Sequence, residues 1–119
     1  MNAAEHKEQA KFHDELRQSV RSICAKYPDE YWRKLDAELA YPEEFVDDIT
    51  KNGFLAALIP EEYGGSGLGI MEASIILEEI NRSGGNAGAC HAQMYTMGTL
   101  LRHGSLAQKR QYLPKIADG

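Results

Sequence analysis

The sequence predicts an all-α protein, a bundle of about six helices. Apolar residues recur at intervals of three and four in successive segments, and proline or glycine residues separate those segments. No segment shows the period-two alternation of apolar and polar residues that is typical of a strand. At 119 residues the chain is long enough for one domain with a single modest core.

The first two predicted helices lie on either side of Pro28. An apolar stripe begins at Phe12, and the helix it predicts ends at Tyr27, because a residue before proline is disfavoured in the helical conformation. The stripe consists of Phe12, Leu16, Val20, Ile23, Cys24 and Tyr27. A second, short helix begins at Pro28 or Asp29. Its predicted inward residues are Tyr31, Trp32, Leu35 and Leu39.

The third predicted helix starts at Pro42, a residue suited to a first helical position, and Glu43 and Glu44 complement the dipole of its first turn. Phe45, Val46 and Ile49 form its apolar face, and Gly53 is suited to the left-handed position after its end. A glycine-rich stretch, "LIPEEYGGSGLG" from Leu58 to Gly69, then separates it from the fourth helix.

Three more helices complete the prediction. The fourth presents Ala73, Ile76, Leu77 and Ile80 on one face and stops at Gly84. The fifth, roughly Ala87 to His103 with Asn86 as its cap, is apolar around most of its circumference, which predicts a buried central helix. The sixth opens with a capping box of Ser105 and Gln108. Its predicted inward residues are Tyr112, Leu113 and Ile116.

Composition and charge exclude several classes of protein. The net charge is −5 and the basic residues are scattered, so neither nucleic acid nor an anionic membrane is an expected partner. No apolar run is long enough to span a bilayer, and the first ten residues lack the apolar region of a secretory signal. The two cysteines, Cys24 and Cys90, have no disulfide-framework spacing, which favours a reduced, cytoplasmic location.

The glycine stretch raises the hypothesis of a phosphate-binding loop. A dinucleotide fingerprint would need glycine at position 70, where the chain has Ile70. A Walker loop would need Lys and Ser or Thr at 70 and 71, where the chain has Ile70 and Met71. Both fingerprints fail, so we expect the stretch to be a tight structural loop between helices.

Histidines and carboxylates supply the remaining candidate sites. The four histidines have no metal-site spacing, so no metal is expected. His91 lies among apolar neighbours on the fifth helix, where it is either a hydrogen-bonded core residue or a cavity residue beside Tyr95. The spacing alone favours the core role. We expect solvated surface positions for the four adjacent carboxylate pairs, which are Glu43 and Glu44, Asp47 and Asp48, Glu61 and Glu62, and Glu78 and Glu79.

Three segments resemble the N-terminal domain of the acyl-CoA dehydrogenase family. They are "IPEEYGGSGLG" at 59–69, "EASIILEEINR" at 72–82 and "GSLAQKRQYLPKIADG" at 104–119, and the resemblance covers most of the chain from about Phe12. It implies a flavoprotein that binds FAD and removes hydrogen from the α and β carbons of an acyl-CoA thioester. It also implies an electron-transferring flavoprotein as partner and a homotetramer. In this family the glycine stretch is a connector between helices.

The resemblance assigns only part of such an enzyme to residues 1–119. The middle β-domain and the C-terminal helical domain, with the catalytic carboxylate and most FAD- and CoA-binding residues, lie outside the chain, so neither catalytic nor cofactor-binding residues are expected in it. Matched position by position, His91, Ala92 and Tyr95 lie at the wall and floor of the acyl pocket, with Met94 as a further candidate. Their size and polarity favour a short, branched or polar-ended acyl group.

Two alternatives remain open at this level. The same fold serves acyl-CoA oxidases and flavin monooxygenases, which this part of the chain does not distinguish from dehydrogenases. A stand-alone helical interaction module is the other possibility. The chain stops at "ADG", just where a helix cap would lie, so we expect a domain boundary there, and we expect residues 1–119 alone to be inactive.

Overall fold

Six α-helices and one short 3₁₀ helix make up the computed structural model, which describes residues 1–119 and contains no strand. In chain order the helices are α1 (Ala3–Cys24), α2 (Asp29–Glu38), α3 (Glu43–Lys51), α4 (Ile70–Arg82), α5 (Gly88–His103) and α6 (Leu106–Asp118). The 3₁₀ helix, Glu61–Tyr63, precedes the glycines. The predicted all-α fold with six helices is confirmed. None of the helices combines the length and the apolar character needed to cross a membrane.

Helix α1 begins nine residues before the predicted start at Phe12, so that boundary is wrong. The Asn2 side chain accepts a hydrogen bond from the Glu5 backbone N–H at 2.9 Å, and the Glu5 carboxylate accepts from the Asn2 N–H at 2.6 Å. This capping box starts the helix without any large apolar residue in the first turn. Phe12, which was expected to face inward, is exposed together with every residue before it.

The ends of α3 and α4 and the start of α6 agree with the local sequence signals. Gly53 and Gly84 adopt left-handed conformations, with φ of 79° and 85°, just after α3 and α4. The Ser105 hydroxyl accepts from the Gln108 N–H at 3.1 Å, and the Gln108 side chain accepts from the Ser105 N–H at 2.8 Å, which forms the predicted capping box of α6. Each of these ends depends only on residues a few positions apart.

The main core lies where α1 packs along α4, and these two helices share the most extensive helix–helix contact in the fold. Leu16 and Val20 of α1 and Ile76 and Ile80 of α4 are buried in it, and Phe45 of α3 joins the same cluster. A second, smaller cluster attaches α6 to α5 and to the segment before the glycines. Its buried members are Ala56, Ile59, Met97 and Leu113.

A buried carboxylate fastens α1 to α4 and corrects one sequence prediction. Glu79, expected on the surface, is 1% exposed and accepts hydrogen bonds from Arg17 Nη1 at 2.9 Å and from Arg21 Nε at 2.6 Å. These bonds lower the pKa of Glu79, with Arg21 as the largest cause and burial acting the other way. Two turns closer to the start of α4, the Glu72 carboxylate contacts the His13 imidazole at 2.8 Å.

The molecule is a slab of 43 × 40 × 19 Å with a radius of gyration of 15.3 Å. A compact domain of this length would have a radius of gyration of about 13.5 Å. The flat shape leaves α5 at one face, so the prediction that it is a buried central helix is wrong. Only Cys90, Met94 and Met97 of that helix are buried.

Two more apolar residues point outward against the prediction. Leu39 is 94% exposed, because it takes the left-handed conformation (φ 53°) that ends α2 and turns its side chain away from the core. Tyr112 of α6 is also exposed, while its neighbour Leu113 is fully buried. The apolar period of a helix therefore identified α6 correctly but assigned it too wide a buried face.

Candidate functional site: the groove between the fourth and fifth helices

An open groove of about 670 Å³ runs between α4 and α5. The short connection of residues 83–87 makes the two helices antiparallel neighbours. One wall carries Ile70, Ser74 and Glu78, exposed residues spaced by four along α4. The opposite wall carries the exposed residues of α5, and the floor consists of buried or half-buried residues. That wall is His91, Tyr95, Thr99 and Arg102, and the floor is Leu58, Ala73, Leu77, Met94 and Gly98.

Three of the four predicted site residues line this groove. His91 and Tyr95 lie on its α5 wall and Met94 lies in its floor. Ala92 is half-buried and is not among the lining residues. Sequence reasoning named only the α5 side. The α4 wall had a detectable signal, because Ile70, Ser74 and Glu78 repeat every four residues on the face opposite the buried stripe.

The imidazole of His91 and the phenol ring of Tyr95 contact each other edge to face. Their ring centroids are 5.5 Å apart and the ring planes make an angle of 71°. Both side chains are exposed, and neither makes a side-chain hydrogen bond within the chain. The interpretation of His91 as a hydrogen-bonded core residue is therefore wrong. Its position as a groove residue follows from the open face on which α5 lies.

Tyr95 separates this groove from a second one. The space between α5 and α6, about 550 Å³, is lined in part by Tyr95 and Thr99 from α5 and by Tyr112 and Lys115 from α6. Tyr95 and Thr99 belong to both grooves, so they form a ridge between them. The Tyr95 side chain, 61% exposed, is the larger part of that ridge.

The charges around the groove are unevenly paired. The Glu78 carboxylate accepts a hydrogen bond from Arg17 Nη1 at 2.9 Å, and this bond is the largest cause that raises the pKa of Arg17. His91, Arg102 and Lys115 have no carboxylate within ion-pair distance in the chain. The one acidic group of this groove is therefore paired, whereas its two basic groups, His91 and Arg102, are not.

The glycine stretch has no free backbone donors for a phosphate. All six N–H groups from Gly64 to Gly69 donate within the chain: five to backbone carbonyls of residues 56–61, and that of Gly69 to the Glu72 carboxylate at 2.9 Å. A Cβ on Gly65 would lie 1.9 Å from the Ile59 carbonyl oxygen. The stretch is a packed connector, as predicted, and it offers no cradle to the phosphates of a flavin cofactor.

Other reactive groups of the chain lie outside the groove. Cys24 and Cys90 are buried free thiols, and burial raises the pKa of Cys90 to about 11. A thiol with such a pKa stays protonated at neutral pH and is a poor nucleophile. No group of three or more His, Cys, Asp or Glu side chains is placed to hold a metal ion.

Fold and groove together define an all-α domain with an open, apolar-floored groove on one face. Residues 10–119 match the family model described as acyl-CoA dehydrogenase, N-terminal domain. The chain is 36% identical over 107 residues to the probable acyl-CoA dehydrogenase FadE25 of Mycobacterium tuberculosis, with 88% of this chain and 27% of that protein covered. The chain therefore belongs to the acyl-CoA dehydrogenase family and corresponds to its N-terminal domain.

Two further relatives give the same result. The acyl-CoA dehydrogenase FadE12 of Mycobacterium tuberculosis is 35% identical over 105 residues, covering 87% of this chain and 27% of that protein. The mitochondrial isovaleryl-CoA dehydrogenase of Oryza sativa subsp. japonica is 34% identical over 114 residues, covering 89% of this chain and 27% of that protein. The chain thus spans about a quarter of the length of the curated relatives that it matches.

Proposed function

We propose that this chain is the N-terminal domain of an FAD-dependent acyl-CoA dehydrogenase and that the α4–α5 groove forms one wall of its acyl pocket. The complete enzyme would remove the α-proton of an acyl-CoA with a carboxylate base, and bound FAD would supply the hydride acceptor. Both the base and the flavin site belong to the part of the protein beyond these residues. This domain binds and orients the acyl group.

The observation that carries this proposal is the apolar floor of an exposed groove. Ala73, Leu77 and Met94 present side chains without hydrogen-bonding groups, as an alkyl chain requires, at a face that the slab leaves open. Each methylene group buried there would contribute about 0.8 kcal/mol to binding. His91 and Tyr95 narrow the α5 side, which supports a short, branched or polar-ended acyl group.

The proposal extends to the partners of the whole protein. Because the chain covers only 27% of its relatives, the middle and C-terminal domains would supply the rest of the acyl pocket and the flavin site. An electron-transferring flavoprotein would reoxidise the enzyme, and the enzyme would be a homotetramer. A cytoplasmic location stays a prediction from the composition of the chain.

The test uses the full-length protein that contains these residues. We expect it to purify with bound FAD and to lose the visible flavin absorption when an acyl-CoA is added without oxygen, with formation of the enoyl-CoA. A dehydrogenase passes its electrons to an artificial acceptor, whereas an oxidase forms hydrogen peroxide in air. Failure of every acyl-CoA to reduce the flavin would refute the proposal, and rapid peroxide formation would reassign the chain to an oxidase.

A further inference from the structure

The groove has basic and hydrogen-bonding groups that nothing in the chain satisfies. His91, Tyr95 and Arg102 lie along its α5 wall, and none of their side chains has a hydrogen-bond or ion-pair partner in the chain. On the opposite wall the carboxylate of Glu78 is already bound to Arg17 at 2.9 Å. The groove therefore combines an apolar floor with two unpaired basic side chains, His91 and Arg102, and with one acidic side chain that is already paired.

We propose that this groove selects acyl groups that end in a carboxylate, with His91 as the side chain that binds the carboxylate. The inference rests on the proposed function and specifies its substrate class. An ω-carboxyacyl group has an apolar body that can pack on Ala73, Leu77 and Met94. Its carboxylate end can accept a hydrogen bond from the imidazole N–H. A plain alkyl chain would cover the same floor and leave the imidazole without a partner.

The geometry at His91 supports this role. The edge-to-face contact with Tyr95, at 5.5 Å between ring centroids, places the imidazole ring against a neighbour on the same wall, which lowers the rotational freedom that is lost on binding. Once further protein covers the groove, an imidazole without a hydrogen bond there is unfavourable. A carboxylate accepts a hydrogen bond from the imidazole N–H, and hydrogen bonds to an ionised acceptor are the stronger kind.

Arg102 lies too far from His91 to share the same carboxylate. The two residues are eleven positions apart on α5, which corresponds to about 16 Å along the helix axis. They therefore mark opposite ends of the groove. The floor at the His91 end is formed by Leu77 and Met94, and the only acidic group on the facing wall is the neutralised Glu78.

The experiment compares two substrates of the full-length flavoenzyme, hexanoyl-CoA and adipoyl-CoA, which have the same number of carbons and differ in the terminal carboxylate. We expect the kcat/KM of the wild-type enzyme for adipoyl-CoA to equal or exceed that for hexanoyl-CoA. The His91→Leu variant should lower the ratio of adipoyl-CoA to hexanoyl-CoA about 10- to 100-fold, the value of a hydrogen bond to a charged group. The matched control is His103→Leu, an exposed histidine at the end of the same helix that does not line the groove.

The outcomes separate this inference from the function on which it rests. An unchanged ratio in His91→Leu, or an equal fall in His103→Leu, overturns the assignment of His91. A wild-type enzyme that oxidises hexanoyl-CoA and refuses adipoyl-CoA overturns the substrate class while the dehydrogenase function stands. An enzyme that oxidises neither of these nor any other acyl-CoA refutes the proposed function itself.

Discussion

Glu79→Gln tests whether one buried carboxylate holds α1 against α4. The wild-type side chain is 1% exposed and accepts three hydrogen bonds, from Arg17 Nη1 at 2.9 Å, Arg21 Nε at 2.6 Å and Arg21 Nη2 at 3.0 Å. Glutamine keeps the shape of the side chain but removes the charge and turns an NH₂ donor toward guanidinium donors. The packing is retained, so the measured effect belongs to the ionic hydrogen bonds.

The expected loss of unfolding free energy is about 2–3 kcal/mol. Breaking a fully buried ion pair costs about 3–5 kcal/mol, because one charge is left without a partner. Here the charges left behind belong to Arg17 and Arg21, which are partly exposed and regain water, so the loss falls below that range. The loss is still larger than the roughly 0–1 kcal/mol of a surface pair.

The matched control is Glu78→Gln, the same substitution one residue earlier. Glu78 is 62% exposed and binds the same Arg17 at 2.9 Å, so its loss should stay below about 1 kcal/mol. Urea unfolding of the 119-residue chain at neutral pH, followed by circular dichroism, gives both free energies by linear extrapolation. If the two variants lose equal stability, burial does not distinguish the two carboxylates and our account of Glu79 is refuted.

The remaining predictions concern pH, the glycine connector, the ridge and the isolated chain. The folded-state pKa of Glu79 lies below its unfolded value of about 4.3, so its contribution is present above that pH and is lost as the pH falls through the folded pKa. Unfolding titrations should therefore show the difference between wild type and Glu79→Gln shrinking in acid. Gly65→Ala should lower the free energy of unfolding by about 3 kcal/mol, because the new Cβ meets the Ile59 backbone. Gly98→Ala on α5 should raise the free energy of unfolding by about 0.5–1 kcal/mol, because a Cβ there meets nothing within 4 Å. Equal effects in urea unfolding would contradict this. Tyr95→Ala in the full-length enzyme should join the two grooves and shift kcat/KM toward longer acyl chains by about fourfold per methylene. The flavin spectrum should stay unchanged. An unchanged chain-length profile would show that Tyr95 does not line the acyl pocket. The isolated chain should bind a hydrophobic dye, bind no stoichiometric FAD and oxidise no acyl-CoA. Copurified flavin, turnover of an acyl-CoA, or a monomer that binds no dye would contradict this prediction.

The parts of the fold that sequence could predict depend on nearby residues. The capping box of Ser105 and Gln108, the left-handed Gly53 and the stop of α4 at Gly84 each involve only a few consecutive positions, and the structure confirms them. The start of α1 used the same kind of signal, an Asn2 cap with Glu5 three residues later. Apolar periodicity does not indicate this start, because the first turns of α1 contain no apolar stripe.

The parts that sequence could not predict depend on which surfaces meet. The charge pattern of α4 does not distinguish Glu78 from Glu79, since the two are adjacent and chemically identical. Only the packing of α1 places Arg17 and Arg21 where they cover Glu79 and leave Glu78 in water. Likewise, the exposed Leu39 follows from one left-handed backbone conformation that an apolar period does not encode.

The error over α5 has a physical cause that bears on the candidate site. An apolar circumference indicates that a helix becomes buried, but it does not say whether the same domain or another part of the protein covers it. In a slab 19 Å thick, α5 has core contacts on one side through Cys90, Met94 and Met97, and borders two grooves on the other. His91 and Tyr95 are on the uncovered side, where side chains can contact a ligand and still be held by the helix. The residues that misled the prediction of burial are therefore those that we propose bind the acyl group.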